Sequence, residues 1–268
     1  MNNKVVIVTG ASSGIGKALA LELITMNAKV VMAARNKSVL DKIIAETNVK
    51  DADILAIETD VTIEEECKRL VDATISKFGK IDVLINNAGI SMRALFDELD
   101  IDVIKKVMDV NFWGTVYCTK YAFPYLLESK GSIVGVSSIA GAKGLPCRTG
   151  YSASKFAMQG LLEVIRIENI KKGLHVLIAY PGFTASNIRN VALSKDGSAQ
   201  GESPLDESKL MTSDEVAKRI INAIIKRKRS LIMTSQGKLT ILLNKFFPKL
   251  VDKLVYNHMA KEPNSPLK

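Results

Sequence analysis

The sequence predicts an α/β fold, a doubly wound and mostly parallel sheet of about seven strands with helices on both faces. Three observations carry that expectation. Short β-branched apolar runs alternate with longer segments of helical period along most of the chain. The first run, Lys4–Thr9, passes directly into the glycine-rich stretch Gly10–Gly16 and then into a helical pattern. Finally, 268 residues with 47% hydrophobic content are enough to bury a full core as one domain.

The glycines Gly10, Gly14 and Gly16 are spaced G-x-x-x-G-x-G, ahead of Ala18, Leu19, Leu21, Leu23 and Ile24 at helical intervals. A strand, a glycine turn and a helix leave free backbone N–H groups at the helix start, where a pyrophosphate can be held. The spacing is not the G-x-G-x-x-G dinucleotide fingerprint, and a tight turn packed closely on a strand would also use glycine. Ala28–Ala34 reads as the second strand, and Arg35 follows it where an acid would accept from a ribose 2′-OH. An arginine there suits a 2′-phosphate, which points to NADP(H) rather than NAD(H).

A helix over Lys37–Glu46 precedes the strand Ile54–Thr59, which ends in Asp60-Val61. The helix Ile63–Phe78 is stopped by Gly79, and the strand Ile81–Ile85 by Asn86-Asn87-Ala88-Gly89, whose small side chains let a ligand approach the backbone. A long helical pattern over Asp100–Ser129 carries Asn111 and Trp113, and Pro124 should bend or end it. Gly131–Ser137 is the fifth strand, with Ser138 just past it at the carboxyl edge, where open parallel sheets bind ligands. The helix Tyr151–Lys171 leads to the strand Leu174–Tyr180 and Pro181-Gly182. Phe183–Met211 has the length and composition of a substrate loop or lid. Thr212 and Glu215 stand at capping-box spacing before the last helix of the main domain, and Leu231–Met233 is a final short strand.

Tyr151 and Lys155 are four residues apart, so on a helix both leave from one face. A cation beside a phenol favours the phenolate, and such a pair can move a proton. With Thr9-Gly-Ala-Ser-Ser-Gly-Ile-Gly16, Asn86-Asn-Ala-Gly89, Asn111, Ser138, Tyr151-x-x-x-Lys155 and Pro181-Gly182 in this order, residues 4–235 resemble the short-chain dehydrogenase/reductase family.

The resemblance implies a Rossmann-type sheet and a catalytic set of Ser138, Tyr151, Lys155 and Asn111. Tyr151 would exchange a proton with a carbonyl or alcohol as hydride passes to or from nicotinamide. Lys155 would hold the nicotinamide ribose and lower the Tyr151 pKa, Ser138 would bond the reacting oxygen, and Asn111 would position a water in a proton relay. A plainer reading of Asn111, an amide bonding backbone where a helix distorts, is compatible with that role. The cofactor would lie along Gly10, Ser12, Ser13, Gly14, Ile15, Gly16, Arg35, Asp60, Val61, Asn87, Ala88 and Gly89, reaching Tyr151, Lys155, Pro181 and Gly182. Ser186 aligns with the family's carboxamide-binding threonine, with Thr184 as competitor. Ser13 occupies a second position that is basic in NADP-dependent members.

The implied activity is NADP(H)-dependent transfer of hydride to or from a small-molecule carbonyl or secondary alcohol, with reduction of a lipid-like ketone as the leading reading. A 3-oxoacyl thioester reductase is the alternative enzyme, and a nucleotide-sensing binding protein the alternative outside enzymes. Family members are often homodimers or homotetramers through the two long helices.

The net charge is +9, and residues 226–268, with ten basic and two acidic residues, contribute +8 of it. Residues 236–268 form a basic extension beyond the 1–235 domain. Leu239, Leu242, Leu243, Phe246, Phe247, Leu250, Leu254 and Val255 recur at helical spacing opposite Lys238, Lys245, Lys249 and Lys253, with a kink at Pro248. Such a helix suits peripheral contact with a membrane, closure of the substrate pocket or contact with a subunit. Nucleic acid is a poor partner for so aliphatic a face. Cys67, Cys118 and Cys147 form no paired motif and suggest neither a disulfide framework nor a cysteine metal site. Cys147 is expected near the pocket as a buried small hydrophobe. No secretory signal or apolar run of about 18 residues is read, so a cytoplasmic location, with or without membrane association, is expected.

Overall fold

Strands covered on both faces cannot alternate polar with apolar residues, and continuous aliphatic runs are the result. In the computed structural model, which describes residues 1–47, 53–201, 203, 206 and 210–267, these runs form β1 (Val5–Thr9), β2 (Lys29–Ala34), β3 (Ile54–Glu58), β4 (Val83–Asn86), β5 (Ser132–Val136), β6 (His175–Tyr180) and β7 (Ser230–Ile232). All six pairings are parallel, in the order β3-β2-β1-β4-β5-β6-β7. The edge strands β3 and β7 are the least buried.

The helices are α1 (Gly14–Thr25), α2 (Lys37–Ala45), α3 (Glu64–Phe78), α4 (Ile101–Met108), α5 (Gly114–Glu128), α6 (Thr149–Glu168), α7 (Ser213–Ile225), α8 (Ser235–Phe246) and α9 (Pro248–Met259). One face of the sheet is covered by α1, α2 and α7, and the other by α3, α5 and α6. The expected Rossmann-type sheet is therefore present. The chain winds outward from β1 to β3 and returns beside β1 as β4, so the crevice at the carboxyl ends of β1 and β4 is the topological switch point.

Several local expectations are corrected. Pro124 does not end its helix, since α5 continues to Glu128; the carbonyl it leaves without an N–H belongs to exposed Lys120, where water can serve. The helix departs from α geometry earlier, in a π turn at Asp109–Trp113, where the Gly114 N–H bonds the Asp109 carbonyl. Asn111 sits in that turn, and the Thr115 hydroxyl donates to its carbonyl at 2.8 Å. The basic extension is two helices and not one kinked helix, because Pro248 occupies the first turn of α9 and has no N–H to continue α8. At α7 the Thr212 hydroxyl accepts from the Glu215 N–H, but the Glu215 carboxylate pairs with Arg219 and does not close the reciprocal half of the box. Gly79 ends α3 in the left-handed region with φ 73°, as its position implies.

The Phe183–Met211 segment crosses the carboxyl end of the sheet with isolated bridges Met92↔Leu193 and Thr184↔Met211; within it, residues 202, 204–205 and 207–209 lie outside the described residues. A small cluster of Met92, Ala94, Leu99, Val103, Val107 and Leu193 packs there, with Tyr151 against it.

Candidate active site

The glycine turn is shaped by what it must pass. Gly10 has φ 66°, and a Cβ on it would lie 2.8 Å from the Ala88 Cα. Gly16 has no positive φ but no space either: a side chain would enter the Gly10 carbonyl and the Asn87 amide. That amide ties the turn down, with Asn87 Nδ2 donating to the Thr9 and Gly10 carbonyls at 2.9 and 3.3 Å. The Thr9 hydroxyl accepts from the Asn87 and Ala88 N–H groups, each at 3.0 Å. The loops after β1 and β4 are thus bonded into one unit. Ser13, the residue before α1, makes no side-chain cap, leaving the first-turn N–H groups directed at the crevice.

On α6, Tyr151 and Lys155 leave one face as their spacing predicts, and the Lys155 ammonium stands 5.8 Å from the centre of the Tyr151 ring. Lys155 is buried and donates to the Val136 carbonyl at 2.9 Å; burial alone pulls its pKa down to about 8. Burial likewise raises the Tyr151 pKa, while the Ser138 side chain and the charges of Arg148 and Arg189 act to lower it. The lowering comes first from the Ser138 side chain and then from the two arginines, and it does not overcome desolvation. Ser138 follows β5 and its Oγ accepts from the Ala140 N–H at 3.2 Å.

Asn111 is fully buried behind this wall. Its Oδ1 accepts from the Ile90 N–H at 2.8 Å, and its Nδ2 donates to the Ile90 carbonyl at 3.0 Å and to Ser154 Oγ at 2.9 Å. Ser154 in turn donates to the Tyr151 carbonyl at 2.8 Å. The amide therefore joins the loop after β4 to α6 from within the π turn.

These groups share one cavity of about 970 Å³. Gly10, Ser12, Ser13, Gly14, Ile15, Arg35, Asp60, Val61, Asn87, Ala88, Gly89, Ser138, Tyr151, Lys155, Pro181, Gly182 and Ser186 all line it. Gly16 and Asn111 do not, the first lying under the turn and the second behind Ile90. Arg35 is exposed at the mouth of β2. Asp60 Oδ1 accepts from the N–H and hydroxyl of Thr62 at 3.0 and 2.8 Å, which fixes the carboxylate at the rim. Ser186 lies against Gly14, and Thr184, beside Gly182 and donating to its carbonyl at 3.1 Å, lines the same cavity. Cys147 is buried with its thiol pKa raised by desolvation, and it is not part of the cavity wall.

Residues not foreseen also face the cavity, among them Arg148, Arg189 and Phe183. Arg148 precedes Tyr151 by three residues, a helical interval that could have drawn notice. Arg189 lies in irregular chain, and its bond to the Thr184 carbonyl at 2.6 Å has no local sequence signature.

Comparison with known proteins agrees with the geometry. A family model described as short chain dehydrogenase matches residues 4–196. A "Dehydrogenase/reductase SDR family protein 7-like" of Dictyostelium discoideum is 36% identical over 261 residues, covering 95% of this chain and 81% of that protein. The "11-beta-hydroxysteroid dehydrogenase A" of Arachis hypogaea is 36% identical over 279 residues, covering 98% of this chain and 78% of its own length. A solved short chain dehydrogenase/reductase from Burkholderia phymatum, in complex with NAD, superposes with a TM-score of 0.82 at 23% identity, covering 93% of this chain and 95% of that one.

Proposed function

The chain belongs to the short-chain dehydrogenase family, and from that premise we propose that it is an NADP(H)-dependent reductase of an apolar, lipid-like ketone. The observation that carries the reading is the meeting of Ser138, Tyr151 and Lys155 on a cavity continuous with the glycine turn. The cradle fits a dinucleotide: a Cβ at Gly10 would fill the space beside Ala88, and uncapped N–H groups of α1 face the same crevice. When bound, the cofactor supplies or accepts the hydride.

The protein's own groups handle the proton and the developing charge. A phenol is protonated at neutral pH, so Tyr151 Oη is available as a donor to a carbonyl oxygen. Ser138 Oγ donates to the same oxygen as negative charge gathers there. Lys155, with its pKa lowered to about 8, is still mostly protonated at neutral pH and would donate to the hydroxyls of the cofactor's nicotinamide ribose.

Arg35 is the ligand proposed for the 2′-phosphate. A charge-assisted hydrogen bond contributes about 1.5–3 kcal/mol, so Arg35→Ala should weaken NADPH binding by roughly ten- to a hundredfold and leave NADH almost unchanged. Fluorescence titration with both cofactors measures this. Equal losses for the two, or none, would remove the NADP preference. The cavity's Arg148 and Arg189 favour, as the second reading, a substrate with an oxygen-rich end such as a 3-oxoacyl thioester.

Two further parts of the reading concern surfaces. On α6, Phe156, Val164 and Ile167 are exposed, with Ile170 just beyond; together with Trp113 they support a homodimer or homotetramer through the long helices, which sedimentation velocity would reveal. On α8, α9 and the Phe247 link between them the large apolar residues Leu239, Leu242, Phe246, Phe247, Leu250 and Leu254 are exposed beside lysines. No helix among the described residues is long and apolar enough to cross a membrane. A basic, phenylalanine-bearing surface supports peripheral attachment to anionic lipid. Three free, buried cysteines support a reducing, cytoplasmic setting. The Phe246→Ser, Phe247→Ser double variant should therefore lose at least about tenfold in partition onto anionic phospholipid vesicles, each buried ring contributing about 1.5–3 kcal/mol. If the parent protein does not sediment with such vesicles at low salt, the attachment does not exist.

A further inference from the structure

Beyond α9 the chain runs through turns, yet this stretch carries a buried acid. Glu262 is 6% exposed. Its Oε2 lies 3.3 Å from Arg93 Nη2 and 3.6 Å from Arg148 Nη2, and Arg93 Nη2 also donates to the Pro263 carbonyl at 2.8 Å. Ser265 anchors the same stretch by donating to the Met259 carbonyl at 2.9 Å. Closer to the cavity, the His258 ring of α9 stacks on Phe183 at 6.5 Å between centres. Residues 258–265 thus join the outer wall of the candidate active site.

The two arginines are neighbours because the chain is stitched there. Ala94 and Arg148 form an isolated bridge, and the Cys147 carbonyl accepts from the Ala94 N–H at 3.2 Å and from Arg148 Nη1 at 3.3 Å. Two buried guanidinium groups side by side repel unless an anion lies between them. Glu262 is that anion, drawn from more than a hundred residues away in sequence. Arg148 also faces the cavity, one helical turn ahead of Tyr151.

We propose that Glu262 is a positioning residue for the proton donor: by clamping Arg93 and Arg148 it holds the Arg148 guanidinium in the cavity wall beside the Tyr151 ring, and residues 260–267 act as the strap that delivers it. The inference rests on the reading of Tyr151 as proton donor. Electrostatics follow the same chain of contacts, since the charge of Arg148 acts to lower the Tyr151 pKa and Glu262 acts to keep Arg148 charged. The other groups facing the phenol are Ser138, Arg189 and Lys155.

The test is the ionisation of Tyr151 in the full-length protein without cofactor. It is read from the ultraviolet phenolate band after a stopped-flow pH jump, before unfolding, and isolated by subtracting the Tyr151→Phe protein. Arg148→Gln should raise the Tyr151 pKa by about one unit. Glu262→Gln should raise it with the same sign, the double variant should add little more, and Glu262→Asp should restore most of the shift. An unchanged far-ultraviolet circular dichroism spectrum and a cooperative melt in all of them check that the fold is intact. A Tyr151 pKa unmoved by Glu262→Gln would make Glu262 merely structural. A fall would mean that Glu262 opposes the arginine's field and does not hold it in place, and no effect of Arg148→Gln would remove Arg148 from the argument. Failure of the donor reading is separable, because it is read from turnover in Tyr151→Phe and not from this titration.

Discussion

Replacing Tyr151 by phenylalanine should lower kcat for carbonyl reduction by about 10²–10⁴-fold, the usual contribution of a positioned general acid. The ring would still pack against the Met92, Ala94 and Val103 cluster, and Lys155 would still donate to Val136, so stability and NADPH affinity should change little. The loss is confined to the proton that the phenol delivers. Steady-state kinetics with NADPH and a ketone probe, beside a cofactor titration, separate the two effects. Turnover within a few-fold of the parent would mean that another group supplies the proton, and the assignment of this face of α6 as the reacting centre would be wrong.

The second large effect is expected from a single methyl group. Gly16→Ala places a Cβ into the Gly10 carbonyl and the Asn87 amide. Neither can retreat easily, because Asn87 Nδ2 is bonded to the Thr9 and Gly10 carbonyls and the Asn87 N–H to the Thr9 hydroxyl. Overpacking of this kind costs about 1–3 kcal/mol, which at this chain length is roughly 2–6 °C in Tm. The glycine turn should shift with it and NADPH affinity fall by more than about tenfold. Gly144→Ala is the control, since a Cβ there meets nothing within 4 Å. Differential scanning calorimetry and cofactor titration of the two variants check this, and parent-like NADPH binding by Gly16→Ala would show that the turn does not form the cradle.

What was legible in the sequence is whatever local chemistry determines. The order of strands and helices follows from apolar period, and the turns at Gly10–Gly16 and Asn86–Gly89 from residues that permit close backbone approach. The pairing of Tyr151 with Lys155 follows from one helical turn. Gly16 and Asn111 belong to the motif but do not line the cavity, because a motif does not say which of its members face a ligand and which hold the others in place. Of the two outcomes expected at Pro124, ending the helix does not occur, because water can reach the abandoned carbonyl of exposed Lys120. Least legible were Arg93, Arg148 and Glu262, since a charge cluster assembled from three distant segments has no period and no spacing. The break between α8 and α9 was marked by Pro248, but the same residue fits either a kink or a new helix start.

The π turn at Asp109–Trp113 sets the rotational phase between two lengths of one continuous helical rod. Upstream, α4 presents Val103 and Val107 to the substrate-side cluster; downstream, α5 presents Cys118, Ala122 and Leu126 to the sheet. In a uniform α-helix each residue advances about 100°, and one residue fewer in the turn would rotate every later side chain by that angle relative to α4. Asn111 would then leave Ile90, and Cys118, Ala122 and Leu126 would swing out of the core. The wide turn is thus the offset that lets one rod serve two differently oriented surfaces, and it ties the exposed Trp113 ring to the geometry of the cavity wall.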